Sequence, residues 1–413
     1  MSVADAAAAD GYVAFRYHDF RLHCAARFIY GVALSSQAVA VGWYIYSVTH
    51  SPFALGIAGL STFLPSAVLS LFTGHVADTY NRRIILTSAF CVAGLASLAL
   101  LSIAWFGIED VRAIYACVVM GGMARAFANP AAQSLTPNLV PKENFANAIT
   151  WYTSAWSASR IIGPSLGGFL YIAGPVAPFA MTCVLIATAA VFVFFIRNPG
   201  PPRKGAGPVN WATLSAGLRF IYSRKVILGG ISLDLFGVLF GGATAMLPAI
   251  AQDTLHTGPW GLGLLRSSPA VGAILMGAFL AHNAIKRRAG AKMLTAVACY
   301  GLATIGFGLS HNIFLSMALL AMVGASDQIS VIVRHTIVQS ETPDEMRGRV
   351  SAVNSIFVSG SSDLGEFESG VTAAWWGVVA SIVFGGAATV GFALAWAKLF
   401  PELRDRDKLV ERV

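Results

Sequence analysis

Charge is what this chain has least of. Only 12% of its 413 residues are Asp, Glu, Lys or Arg, about half the share found in soluble globular proteins. With 56% hydrophobic residues and a mean hydropathy of +0.67, a water-soluble globule is excluded. Cysteine is sparse too. Cys24, Cys91, Cys117, Cys183 and Cys299 fall one by one in separate apolar stretches, never in Cys-x-x-Cys spacing. That argues for buried inert thiols and against disulfides or a metal site. No Gly-x-x-x-x-Gly-Lys-Ser/Thr loop is present to cradle a nucleotide, and neither Gly-x-Ser-x-Gly nor His-Glu-x-x-His occurs, so a membrane enzyme has no catalytic constellation to stand on. His18, His23, His75, His256, His282, His311 and His335 are scattered near the ends of apolar runs, and no metal or cofactor is expected. A non-transporting sensor would need a sizeable soluble domain, for which there is no room. The opening residues Met1-Ser2-Val3-Ala4-Asp5-Ala6 lack the basic region of a cleavable signal, so the first apolar span is expected to stay.

What the chain has instead is about twelve apolar blocks, at approximately 22–48, 53–76, 84–106, 112–136, 146–173, 177–197, 225–251, 261–283, 292–309, 312–336, 349–373 and 375–398. A helix of about 20 residues crosses some 30 Å of hydrocarbon. Lipid cannot satisfy backbone amides, and long continuous runs do not suit the alternating strands of a barrel, so these blocks are predicted to be helices. The fold class is an all-α polytopic membrane protein in a lipid bilayer.

The net charge of +8 is topological and does not point to nucleic acid. Basic residues collect at every second connection: Arg82/Arg83, Lys142, Arg197 through Lys225, Lys286/Arg287/Arg288, Arg347/Arg349 and the tail at Arg404, Arg406 and Lys408. The intervening loops near 50, 174, 256, 311 and 374 carry almost none, with Arg112 the main exception. The positive-inside bias predicts both termini in the cytoplasm.

Asn198 to Pro208 forms a Pro/Gly-rich basic linker, followed by an interfacial helix with Trp211, Leu214, Leu218 and Ile221 on one side. The expected organisation is a six-helix bundle over 1–197, a cytoplasmic linker over 198–224, and a second six-helix bundle with a short tail over 225–413. The halves echo each other at a shift of about 202 residues: Val140-Pro141-Lys142-Glu143 with Thr342-Pro343-Asp344-Glu345, Gly122 with Gly324, Gly163 with Gly365, and Gly168 with Gly370.

Between the second and third blocks runs Gly74-His75-Val76-Ala77-Asp78-Thr79-Tyr80-Asn81-Arg82-Arg83, read as a short charged hinge. The pattern Gly-x-x-x-Asp-x-x-x-Arg-Arg resembles the cytoplasmic-loop signature of the major facilitator superfamily of secondary transporters. The resemblance implies twelve spans in two pseudo-symmetric bundles, with a site between halves. It also implies that Gly74, Asp78, Arg82 and Arg83 act as a gate pinned to the eleventh span. Asn81 replaces the family's usual glycine, and a left-handed turn is expected there. Gly163-Pro164-Ser165-Leu166-Gly167-Gly168 is similar to the end of the signature of drug/proton antiporters, although Ser159 departs from it, and a plain helix-packing role for Gly163, Pro164 and Gly167 stays open. Segments at Val140–Ala148, Asp234–Gly241, Gly258–Gly263 and Arg347–Asn354 resemble a bacterial effluxer branch that includes exporters of the enterobactin-exporter type.

Charges inside apolar runs are costly and need a partner or water. Arg27, Arg125 and Arg160 lie in the first half, and Asp234, Asp327, Asp363, Glu366 and Glu368 in the second. Arg125 and Asp327 occupy equivalent positions of the repeat. The acids Asp234, Asp327, Asp363 and Glu366 are expected proton carriers, with Arg125 and Arg160 as their countercharges or as anchors for an acidic substrate. Structural ion pairs are the alternative. Tyr30, Gln37 and Tyr44 recur every seven residues in the first span, a stripe that can line a cavity or simply pack. The expectation is a monomeric, proton-coupled exporter of a drug-like or siderophore-like small molecule in the bacterial inner membrane, working by alternating access. An importer or facilitator on the same scaffold is the nearest rival.

Overall fold

The computed structural model describes residues 11–197, 211–283, 285 and 287–406. Twelve helices of sixteen or more residues account for most of these: α1 (His18–Thr49), α2 (Pro52–Thr79), α3 (Arg82–Trp105), α4 (Val111–Leu135), α5 (Phe145–Leu170), α6 (Val176–Phe194), α7 (Lys225–Phe240), α8 (Pro259–His282), α9 (Ala289–Gly308), α10 (Ile313–Glu341), α11 (Asp344–Trp376) and α12 (Val378–Leu399). Among the described residues, ten spans are long and apolar enough to cross a membrane. The two long helices that fall short are α5 and α11. Their sequences explain it, since α5 carries Arg160 among many Ser and Thr residues, and α11 carries Asn354, Asp363, Glu366 and Glu368.

The outward faces are apolar: Leu275, Phe314 and Leu394 are 66%, 77% and 62% exposed. Side chains that a soluble protein would hide are turned out toward lipid, which is as apolar as they are. The interiors bury small residues such as Ala33, Ala93 and Ser36 beside large apolar ones, and the small ones let helices approach closely.

The described residues form two compact units. One takes in the chain up to Val41 and from Leu64 to Arg197; the other takes in Gly42–Phe63 and the chain from Trp211 onward. The first packs around alanines such as Ala33, Ala93, Ala128 and Ala189, with Tyr30 stacked on Phe90 at 4.1 Å. The second buries Leu233, Met293, Val333, Ile337 and Ala393 together. Residues 198–210 of the expected linker lie outside the described residues. The predicted interfacial helix is present as Trp211–Ser223, and its Ile221 is buried with Ile227, Ile231, Val338 and Val350.

Two small-residue seams repeat in the two units. In the first, a methyl group on Gly163 would come within 2.6 Å of Ser35 Cβ, and one on Gly167 within 2.6 Å of the Ser36 carbonyl, so α5 lies against α1 almost backbone to backbone. Pro164 is buried inside α5 between them. In the second, a methyl on Gly365 would come within 2.7 Å of the Leu239 carbonyl, bringing α11 against α7. Gly163 and Gly365, paired by the internal repeat, thus do the same steric job. A packing role accounts for the glycines of the antiporter-like segment.

The expected hinge is corrected. Residues 74–79 are the last turns of α2, and only Tyr80 and Asn81 connect it to α3. Polar residues do not end a helix whose backbone bonds are internal. Asn81 is not left-handed either: at φ −64° and ψ 112° it is extended, and its side chain accepts a hydrogen bond from the Arg83 backbone N–H at 3.0 Å. Asn81 caps the next helix, the role its short amide suits best.

Candidate functional site

The second unit holds a buried ion pair. Arg334 of α10 meets Asp234 of α7 at 3.2 Å, with side chains 2% and 5% exposed. Another guanidinium N–H of Arg334 donates to the Asn354 side-chain oxygen on α11 at 3.0 Å. Its Nε is buried without an acceptor. One arginine therefore ties three helices together. Beside the pair lies a cavity of about 20 Å³ whose lining includes Asp234, Tyr300, Ser326, Asp327, Ser330 and Thr389. Asp327 is half-buried there, and Tyr300 is an electrostatic neighbour of both carboxylates. The cavity matches a single water molecule, and its polar lining could partner one. The countercharge of Asp234 is thus Arg334 of its own unit, which corrects the expectation of Arg125 or Arg160 in that role.

Immediately beyond Asp234, the span breaks. After Phe240 the chain passes through Gly241 and Gly242, a 3₁₀ turn Ala243–Met246 and a π turn Ile250–Thr254. Breaking a helix inside hydrocarbon exposes polar backbone, and here local turns satisfy it together with side chains from other helices. The Gly237 carbonyl still accepts from the Gly241 N–H at 3.0 Å and the Gly241 carbonyl from the Ala243 N–H at 2.7 Å; Thr389 Oγ1 adds a bond to the former at 3.2 Å and the Tyr300 hydroxyl one to the latter at 3.0 Å. Gly242 is required by space, since a methyl there would come within 2.6 Å of the Gly365 carbonyl. At the far end of the broken segment, the Tyr46 hydroxyl donates to Asp253, joining Gly42–Phe63 to the rest of this unit.

Of the other second-half acids, Glu366 is half-buried on α11 and does not line the Asp234 cavity. Asp363 also falls on α11, but its side chain lies outside the described residues.

In the first unit, Arg27 lies over the Trp156 ring at 3.7 Å and at 5.0 Å from the Tyr152 ring centroid, a cation caged by aromatic faces. Arg125 is half-buried and is an electrostatic neighbour of Tyr30, as is Arg27. Arg160 is exposed on α5. Gln37 accepts a hydrogen bond from Ser97 at 2.6 Å, linking α1 to α3. Arg82 is 3% exposed, and its Nε donates to the Ala77 carbonyl at 3.3 Å, bracing the α2–α3 turn. Arg83 donates to the Ile196 carbonyl at 2.8 Å, so it anchors the start of α3 to the chain after α6. Gly74 and Asp78 belong to α2, and the surroundings of both lie outside the described residues.

Sequence reasoning missed Arg334, Asn354, Tyr300, Tyr46, Asp253, Tyr152 and Trp156. For Arg334 a signal was available: it stands alone in the apolar run Ser330-Val331-Ile332-Val333, two turns past Asp327 on the same helix face. The aromatic pair one turn apart on α5, Tyr152 and Trp156, is a weaker signal, because such pairs usually just pack.

Residues 24–365 match the family model described as Major Facilitator Superfamily. The enterobactin exporter EntS of Citrobacter koseri is 32% identical over 349 residues, covering 81% of this chain and 80% of that one. EntS of Escherichia coli O139:H28 is 30% identical with the same coverage. Among solved structures, a POT family transporter in complex with 5-aminolevulinic acid superposes with a TM-score of 0.73 at 12% identity, over 94% of this chain and 97% of the other. A bacterial homologue of the lysosomal transporter Spinster gives 0.72 at 14% identity, over 94% and 98%. At such identities these structures speak for the fold alone.

Proposed function

Because the chain belongs to the Major Facilitator Superfamily and is a multi-pass secondary transporter, we propose that it exports an organic small molecule of siderophore-like type across the bacterial inner membrane, driven by protons. Export and substrate class are carried over from the enterobactin exporters it resembles. We further take all twelve long helices as spans, with both termini cytoplasmic, two bundles over 1–197 and 225–413 joined by the 198–224 linker, and a monomer as the working unit.

The observation that carries proton coupling is the buried Asp234–Arg334 pair, set against Asp327 and the broken span α7. A carboxylate held beside a guanidinium in a water-sized cavity next to a helix break has what a coupled step needs. Protonation weakens the pair, and a loosened pair frees α7 from α10. Asp363 and Glu366 are further carrier candidates on α11. Arg125 and Arg160 are candidate countercharges or acid anchors, and Gln37 a cavity residue. Gly74, Asp78, Arg82 and Arg83 form the proposed gate at the α2–α3 turn.

The test is efflux from proteoliposomes under an imposed pH gradient with a panel of drug-like and siderophore-like compounds. Uphill transport that collapses with the gradient is expected. Asp234→Asn should abolish it while leaving some downhill exchange, with Asp363→Asn and Glu366→Gln tested beside it. If Asp234→Asn accumulates substrate fully, the carrier role passes to Asp327, Asp363 or Glu366; gradient-independent transport by the wild type would overturn proton coupling itself.

A further inference from the structure

Between its helix ends the first unit carries arginines and no acidic residue. From Phe20 to Arg197 the only acidic residues are Asp78, Glu109, Asp110 and Glu143, each near a helix end or in a connection, while Arg27, Arg125 and Arg160 lie within α1, α4 and α5. A cation at that depth calls for a counter-ion, hydrogen bonds or water. Arg27 has no carboxylate and no hydrogen bond among the described residues, and its Nε is buried without an acceptor. What it has is the faces of Trp156 and Tyr152, which attract a cation without discharging it or using its N–H groups.

The neighbouring polar atoms are unsatisfied as well. The hydroxyls of Tyr30 and Tyr152 and Nδ1 of His23 are buried without hydrogen-bond partners among the described residues. His23 stacks on Tyr152 at 5.1 Å and gives its other ring nitrogen to Thr136. Arg27, Tyr30 and His23 line one cavity of about 10 Å³, the room of a single oxygen atom, walled otherwise by apolar side chains such as Leu86 and Phe90. Arg125 adds a second positive field at Tyr30. Guanidinium N–H groups only donate, and each phenol carries an O–H to donate besides an oxygen that accepts, so an incoming oxygen meets several donors here. An anionic oxygen satisfies such a set. A structural staple between α1 and α5 would need the aromatic contacts but would gain nothing from the orphaned hydroxyls.

We infer that Arg27, with Tyr30 beside it, is the anchor for the anionic group of the transported solute, which is therefore an organic anion. This rests on the transporter reading and narrows its substrate class. The aromatic faces hold the guanidinium in place before the anion arrives, and the oxygen of a carboxylate or phenolate then takes the orphaned donors.

The probe is benzoate against benzamide, two molecules of the same shape that differ in charge, measured by equilibrium dialysis on the full chain in lipid nanodiscs. Saturable benzoate binding is expected, with benzamide at least tenfold weaker. Arg27→Gln should bring benzoate down to the benzamide level. Tyr30→Phe deletes only a hydroxyl that has no partner among the described residues, so folding is spared while benzoate binding falls several-fold. If benzoate and benzamide bind alike, if neither binds, or if Tyr30→Phe and Arg27→Gln both keep the wild-type preference, the anchor is refuted. Binding does not require transport. Proteoliposome efflux without charge discrimination would sink the anchor alone, and absence of any efflux would instead sink the transporter reading.

Discussion

Replacing Arg334 by leucine should be among the most damaging single substitutions in the chain. The side chain is 2% exposed and serves Asp234 and Asn354 together. Its removal leaves a carboxylate buried without its partner, a loss of about 3–5 kcal/mol. It also strands the Asn354 amide oxygen, worth about 1–3 kcal/mol when left unpaired. In a chain of this size each kcal/mol moves the unfolding midpoint by roughly 1–2 °C, so a fall of about 4–16 °C is expected. The double variant Asp234→Leu/Arg334→Leu removes both charges and leaves only Asn354 wanting. Its loss should fall short of the sum of the two single losses by about 3 kcal/mol, which is the coupling a double-mutant cycle isolates. The measurement is thermal unfolding of the four proteins in detergent micelles, followed by tryptophan fluorescence at one scan rate, because unfolding of membrane proteins is seldom reversible. Arg334→Leu melting within 1 °C of wild type, or a double variant showing the full sum, would refute the reasoning.

Three further outcomes are expected. In a cysteine-free background, Lys204→Cys and His311→Cys should label from opposite faces of the membrane, and labelling from one face would break the alternating topology read from the basic loops. Gly167→Leu should drive α5 off α1, since even a methyl there meets the Ser36 carbonyl; a destabilisation of about 1–3 kcal/mol or more follows, and an unchanged unfolding midpoint would show the seam to be loose. Asp78→Asn should preserve insertion but alter the distances between the cytoplasmic ends of the helices, read by paired spin labels, and unchanged distances would remove Asp78 from the gate.

Much of the architecture was legible in the chain because lipid leaves the backbone no alternative. A run of twenty apolar residues must be helical where nothing else can accept its hydrogen bonds. The block expected at 84–106 is accordingly α3, Arg82–Trp105, and that expected at 312–336 lies within α10. The place of Asp234 and of Arg27 in their spans was equally plain, because a charge in an apolar run stands out, although Arg334 was overlooked. The partners were not. Asp234 and Arg334 are a hundred positions apart, and only the packing of α7 on α10 brings them to 3.2 Å. Nothing local announces that Arg27 will be met by two aromatic rings instead of a carboxylate, for that depends on which face α5 turns toward α1. The same holds for the break in α7. A Gly-Gly pair permits a break in an apolar span, but the packing around it, with a hydroxyl from Tyr300 on α9 added to the Gly241 carbonyl and Gly365 leaving room on α11, comes from elsewhere in the chain. Single-helix propensities decide where helices can form; the satisfaction of buried polar groups, which takes residues from several helices at once, was decided only by the tertiary structure.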